Sequence, residues 1–521
     1  MKKIFYLFMT STLLFAASCS SDDDNQNDQD PANSVFTLES RSDASIFGDV
    51  TFTDNENGST TVVIDLNGTT TGSHPAHIHE NSAVEGGDII VSLEPVDAST
   101  GLSTTVVSTL NDGTAISYEQ LIELDAYVNV HQSADDLGTL IAQGDIGVNV
   151  LTGEVKEYVL NSKAVPTISG VATFSKRVSG AALVEIQLDG TPNDGQHPAH
   201  IHFNTAAESG AIAKSLTTVD GTTGYSATHI EELNDETQIG YDGLLEFDGY
   251  INVHLSAAEI GTIVAQGDIG QNELTGEVKE YALGSRAIPS ISGIATFSKR
   301  VSGAALVEIQ LQGTPDNGEH PAHIHFNTAA ESGAIAKSLN TVDGTTGYSA
   351  TNIEALNDET SIDYEALLDF DGYINVHLSA AELGTIVAQG DIGQNELTGN
   401  SVDYDLAAVS DATIFGTANF AERVNGETLV TVNLVGTTAG NLHPAHIHSG
   451  DVANAPGAII VSLGNVVGET GVSLTNVTQL SDGSSIDYTA MTAIDGYINV
   501  HLSADDLATL VAQGNVGANA G

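Results

Sequence analysis

The chain has 521 residues, 41% of them hydrophobic: too long for one ordinary core and too apolar for a disordered chain. It carries 14 Lys plus Arg against 69 Asp plus Glu, and the net charge of −55 repels phosphate backbones and excludes nucleic acid as a partner. A single Cys excludes an intrachain disulfide, and a Trp-free, Met-poor composition rich in Gly, Thr, Val and Ile favours strands and turns over long helices.

The first segment, MKKIFYLFMTSTLLFAASCSS, has Lys2 and Lys3, an apolar run from Ile4 to Ala17, and then small residues. Residues 1–18 read as a signal peptide, too short and wrongly flanked for a transmembrane helix. The small residues ending at Cys19 resemble the lipobox of bacterial lipoproteins, with Ala16 where that motif often has Leu. The resemblance implies a lipidated Cys19 and a membrane anchor rather than a span. Residues 19–34 are polar and acidic and read as a flexible tether. The acids after Cys19 resemble the export tag that sends lipoproteins to the outer surface in some Gram-negative groups. The expected location is the bacterial outer membrane, lipid-anchored and exposed at the cell surface. A plain tether tolerates the same acids, so the periplasmic face stays open.

Beyond the tether the chain is one unit written four times. HPAHIH begins at positions 74, 197, 320 and 443, a constant step of 123 residues. YVNVH ends at His131, and YINVH at His254, His377 and His501. AQGDIG at 142, 265 and 388 becomes AQGNVG at 512. Such a period matches a complete small domain rather than a solenoid repeat. Aligning VFTLES at 35–40 with EYVLNS at 157–162 sets repeats at 35–156, 157–279, 280–402 and 403–521, abutting with almost no linker. Repeats two and three share ATFSKRVSGAALVEIQL, whereas one and four have drifted further, so features common to those two carry more weight.

Within a unit the pattern is alternation. TVVIDL at 61–66 puts Val62, Ile64 and Leu66 on one side of a strand, and IIVSL at 89–93 and GTIVAQGDI at 261–269 read as more buried strands. NENG at 55–58, LNDG at 110–113 and PNDG at 192–195 are turn signals, and the one helical hint is YEQLIEL at 118–124. DNENG also has the Asp/Asn/Gly composition of weak Ca²⁺ turns, without a full Ca²⁺-loop spacing. Short strands at steady spacing indicate a β-sandwich or a Greek-key barrel.

The unit resembles the CHRD domain, named for chordin. The likeness rests on Ala76-His77-Ile78-His79, Tyr127-Val128-Asn129-Val130-His131 and GTLIAQGDIG at 138–147, and it extends to all four units. It implies an all-β chain of four tandem Greek-key β-sandwich domains, immunoglobulin-like or superoxide-dismutase-like. Where the family often has a basic GEIRGQ-like strand, this chain has uncharged GTLIAQG, so no role of that Arg transfers. The family's molecular activity is not well defined, so the likeness bears on architecture more than on function.

Of 17 histidines, 16 belong to the repeated pattern: His74, His77, His79 and His131; His197, His200, His202 and His254; His320, His323, His325 and His377; His443, His446, His448 and His501. The other, His229, corresponds to Asn352 and reads as a surface residue. In a strand, His77 and His79 face one side, about 7 Å apart at the base, and Ile78 the other. If the strand ending near His131 is a neighbour, three imidazoles meet, a set suited to Zn²⁺ or Cu²⁺, one ion per repeat. His74, across Pro75, is a fourth ligand or a rim residue. No carboxylate recurs directly after HIH, where Glu80, Phe203, Phe326 and Ser449 stand, and the Asp of QGDIG becomes Asn515. An all-imidazole set favours metal holding over proton shuttling. The competing reading is a cluster hydrogen-bonded to backbone that recurs with the fold.

Two function classes follow. One is a lipid-anchored array of four beads that binds metal, glycan or a protein partner outside the cell, repetition adding avidity or reach. The other is a metal-dependent enzyme, superoxide-dismutase-like or hydrolytic. For the first of these no second His cluster supports a bridged site, and for the second no general base is nominated; no Gly-x-Ser-x-Gly elbow is present either. No catalytic residue is assigned. A purely structural or adhesive rod, its histidines holding no metal, is the remaining alternative.

Overall fold

A computed structural model describes residues 32–520. The signal segment, Cys19 and the tether up to residue 31 lie outside the described residues. The first repeat forms eight strands: β1 (Asn33–Ser40), β2 (Phe47–Asp54), β3 (Thr60–Asn67), β4 (Ser73–Glu80), β5 (Ile89–Asp97), β6 (Leu102–Val107), β7 (Asp125–Ser133) and β8 (Asp136–Gly147). Alternation does the sorting. In β3, Val62, Ile64 and Leu66 are buried while Asp65 and Asn67 face solvent. Turns end the strands where side chains replace ladder partners. Between β2 and β3, Asp54 Oδ1 accepts the Glu56 N–H at 2.9 Å and Asn57 Oδ1 accepts the Ser59 N–H at 3.0 Å, so the DNENG side chains build the turn itself.

The strands pair antiparallel in the order β1-β2-β3-β6-β5-β4-β7-β8, and β8 returns to β1 through the pairs Glu39–Gln143 and Ser40–Ala142. Each repeat therefore closes into a barrel, not the two-sheet sandwich expected from the resemblance. The reason is physical. One-sided alternation is the same for a sandwich and a barrel. Only the pairing of the outermost strands separates them, and side-chain period does not encode it. Eight strands enclose a lumen that side chains can fill. Leu38, Val50, Phe52, Ile64, Ile78 and Val128 fill it here, all fully buried.

The same order recurs in barrels spanning Leu151–Gly270, Leu274–Gly393 and Leu397–Gly517. Two compact units result. One holds the first barrel, ends at Leu151 and takes in Arg177–Ser179; the other, Thr152–Lys176 with Gly180–Gly521, holds the remaining three barrels. The helical hint becomes a single turn, α1 (Tyr118–Leu121), capped by Ser117: its Oγ accepts the Gln120 N–H while Gln120 Oε1 accepts the Ser117 N–H. No helix among the described residues is long and apolar enough to cross a membrane.

Candidate metal centre

β4 lies between β5 and β7. Ala76 and Ile78 point into the core, so His77 and His79 point outward from the barrel wall. β7 repeats the logic: Ala126, Val128 and Val130 are core residues, leaving Tyr127, Asn129 and His131 on the outer face. The register sets His77 opposite Asn129 and His79 opposite Tyr127. Three imidazoles thus gather on one patch of the wall. One nitrogen from each of His77, His79 and His131 lies within 4.8 Å of the others. The same holds for His200, His202 and His254; for His323, His325 and His377; and for His446, His448 and His501.

Backbone carbonyls fix two of the three rings. His79 Nδ1–H donates to Gly87 O at 2.9 Å, and the counterparts His202, His325 and His448 donate to Gly210, Gly333 and Gly457 at 3.0, 2.9 and 2.9 Å. His131 Nδ1–H donates to Leu137 O at 2.7 Å, as His377 does to Leu383 at 2.6 Å and His501 to Leu507 at 2.7 Å. A carbonyl on Nδ1 leaves the Nε2 lone pair free, the tautomer a metal ligand needs. In the second barrel Nδ1 of His200 and Nε2 of His202 and His254 are buried and without a hydrogen-bond partner among the described residues. The corresponding nitrogens of the third and fourth barrels are in the same state. The first barrel differs, since His77 Nδ1 and His131 Nε2 stand 3.1 Å apart.

Zn–N bonds of about 2.0–2.1 Å place two tetrahedral ligands roughly 3.3 Å apart, so nitrogens within 4.8 Å of one another would draw inward around an ion. Burial, then the charge of neighbouring His131 and His79, holds the His77 imidazole below its ordinary value. Burial lowers His131 as well, against the opposing pull of the Leu137 carbonyl. The same directions recur at His200, His254, His323, His377, His446 and His501. Neutral rings are the form that binds a cation.

The first histidine of each motif stands outside these groups. His74 Nδ1–H points to the carbonyls of His131 and Gln132 at 3.2 and 2.9 Å. His197, His320 and His443 meet the carbonyls of His254, His377 and His501 at 3.2, 3.1 and 3.1 Å. These rings tie down the strand that carries the third imidazole. His229 is not a surface residue, because its side chain is only 7% exposed. It sits on the strand Tyr225–Ile230, paired opposite Leu183.

Sequence reasoning missed the frame around the triad. Tyr127 stacks on His79 with ring centroids 4.9 Å apart, and its hydroxyl accepts the Gly87 N–H at 3.2 Å. Tyr250, Tyr373 and Tyr497 repeat both contacts. Gly87 is held on both sides, and a Cβ there would collide with the Glu80 carbonyl. Gly210, Gly333 and Gly457 meet Phe203, Phe326 and Ser449 in the same way. Asn129, inside YVNVH, accepts from Gln143 Nε2 at 2.8 Å and serves the wall rather than the triad. The Tyr of YVNVH and YINVH was visible as a repeated letter; its partner glycine lies in a loop that is the same in the second and third repeats but differs in the first and fourth.

No curated protein matches the chain. Residues 30–140, nearly all of the first barrel, match the family model of the CHRD domain.

Proposed function

We propose that all four repeats are CHRD-like domains and that each holds one Zn²⁺ or Cu²⁺ ion through its outward-facing imidazole triad. The chain would act as a lipid-anchored, surface-displayed binding array. The observation that supports the reading best is the set of partnerless, buried imidazole nitrogens in the triads on the outer walls of three barrels. Buried polar atoms left unsatisfied cost about 1–3 kcal/mol each, and a cation at their centre removes that cost. Three protein ligands leave a fourth position for water or for a donor from an extracellular protein or glycan. Elemental analysis after equilibrium dialysis of the signal-free protein is expected to give four equivalents of metal. H202A should remove one equivalent, and H202A with H325A two. Metal content that ignores these substitutions would sink the reading.

A second reading has one specific support. In the first barrel, His77 and His131 at 3.1 Å can share a proton as a hydrogen bond. That barrel would then hold a structural cluster, and the total would stop at three equivalents.

Anchoring through Cys19 has its own test. C19S should move the protein from the membrane fraction to the soluble one, and protease added to intact cells should degrade the wild-type protein if it faces outward. A C19S variant that still sediments with membranes would remove the anchor from the proposal.

A further inference from the structure

The loop that orients one barrel's triad is gripped by the barrel that follows it in the second unit. In the second barrel this is the loop 204–211. Its Gly210 carbonyl fixes His202. Its Ala206 N–H donates to Asp268 Oδ1 at 2.8 Å. Asp268 Oδ2 meets Arg300 Nη1 of the third barrel at 2.8 Å, and Arg300 Nε donates to Asn352 Oδ1 at 2.8 Å. Asn352 Nδ2 returns to Glu208 Oε2, on the same loop, at 3.2 Å, and that oxygen also accepts from Thr205 Oγ1 at 2.8 Å. The ring of contacts begins and ends on one loop.

The third and fourth barrels repeat it. Ala329 N–H reaches Asp391 Oδ1 at 2.8 Å, Asp391 Oδ2 meets Arg423 Nη1 at 2.8 Å, and Arg423 Nε donates to Asn476 Oδ1 at 2.8 Å. Asn476 Nδ2 then returns to Glu331 Oε2 at 3.2 Å. Arg300 is fully buried and Arg423 is 1% exposed, so the grip works in a water-poor setting where such bonds are strongest. The fourth barrel differs. Asn515 accepts the loop's Val452 N–H at 2.8 Å, and Asp451 caps the loop from within.

We infer that Arg300 and Arg423 are positioning residues for the metal site of the preceding barrel, so that ion affinity in one bead depends on the docking of the next. The inference rests on the imidazole-triad reading. It predicts that affinity in the second and third barrels is set across the junction, whereas in the fourth it is set within the barrel.

The test uses the full signal-free chain with only the second triad intact, carrying H77A, H323A and H446A. Zn²⁺ is titrated by calorimetry, and Co²⁺ is bound to read ligand geometry from its absorption. R300Q should weaken Zn²⁺ binding about tenfold, the lower end of the usual effect of outer-shell substitutions, and alter the Co²⁺ spectrum. R423Q, in the same background, should change neither. Equal affinity in R300Q and its parent overturns the inference. If R300Q fails to fold, E208A cuts the outer leg of the ring at an exposed residue. It should weaken binding in the same direction, and unchanged affinity there overturns the inference equally. Absence of Zn²⁺ uptake by the parent overturns the triad reading itself, a result distinct from a parent that binds and an R300Q that binds as well.

Discussion

Each triad ring whose Nδ1 meets a backbone carbonyl has its protonation pattern decided by the fold. His79 and His131 hold their protons toward Gly87 and Leu137, and the free lone pairs face inward. Protonating His77 and His131 together would place two charges within 4.8 Å of one another in a patch poorly reached by water. Burial first, and neighbouring charge after it, therefore depress the His77, His200, His323 and His446 imidazoles. The consequence for stability has a definite sign. The unfolded chain takes up protons near the ordinary imidazole value of about 6.5, while the folded chain resists them until lower pH. The contribution is complete above about pH 6.5 and is lost as pH falls below that value through the depressed folded ones. In metal-free protein the melting temperature should fall progressively below about pH 6.5, and added Zn²⁺ should steepen that fall by making proton and metal compete. Replacing His200, His323 and His446 together by Gln should flatten the profile. A metal-free melting temperature level from pH 7 to 5 would show that the rings are not held neutral.

At the scale of the strand, much of the site was legible and its frame was not. Period two places His77 and His79 on one side of β4 and Ile78 in the core, whatever the fold around them. The recurrent spacing of 57 or 58 residues from His74 to His131 and between their counterparts marked β7 as the other half, but adjacency of β4 and β7 is a fact of topology that spacing cannot supply. His74 shows the limit most clearly. It lies in the same six-residue string, yet period two puts it on the side of Ala76 and Ile78, and its ring meets the β7 backbone instead of the triad. Gly87 escaped because its role is a close approach to Glu80 and a bond to Tyr127, both long-range. Barrel closure escaped for a similar reason: two rungs between β1 and β8 decide it, and neither strand's pattern announces them. Another signal was present but unread. Arg177, Arg300 and Arg423 recur on the same step as the histidines, as do Asp145, Asp268 and Asp391. In the sequence Asn515 only breaks the run of Asp in QGDIG. The structure ties the Asp to the arginine it meets, and Asn515 keeps only the backbone bond.

At the scale of the whole molecule, a net charge of −55 makes most acidic residues mutually repulsive, so removing one should ordinarily relieve strain on the folded state. Asp391 is the useful exception. Its carboxylate is 15% exposed and pairs with a side chain of Arg423 that is fully buried. D391N preserves the shape and the acceptor for Ala329 N–H, as Asn515 does for Val452 in the fourth barrel. What it removes is the counter-charge, leaving a guanidinium in the junction with carbonyl and amide partners alone. Breaking one side of a buried pair costs about 3–5 kcal/mol, and the residual oxygen partners put the expected loss near the lower figure. D405N removes the same charge from an exposed strand position in the fourth barrel. Repulsion alone predicts that both variants hold or gain stability; the buried pair predicts a loss in D391N only. Chemical denaturation of the two variants beside wild type separates these terms. The expected result is a lower midpoint, or an early phase split from the main transition, in D391N, with D405N at or above wild type. Matching midpoints in the two variants would mean that general repulsion, rather than the Asp391–Arg423 pair, governs how the third and fourth barrels hold together.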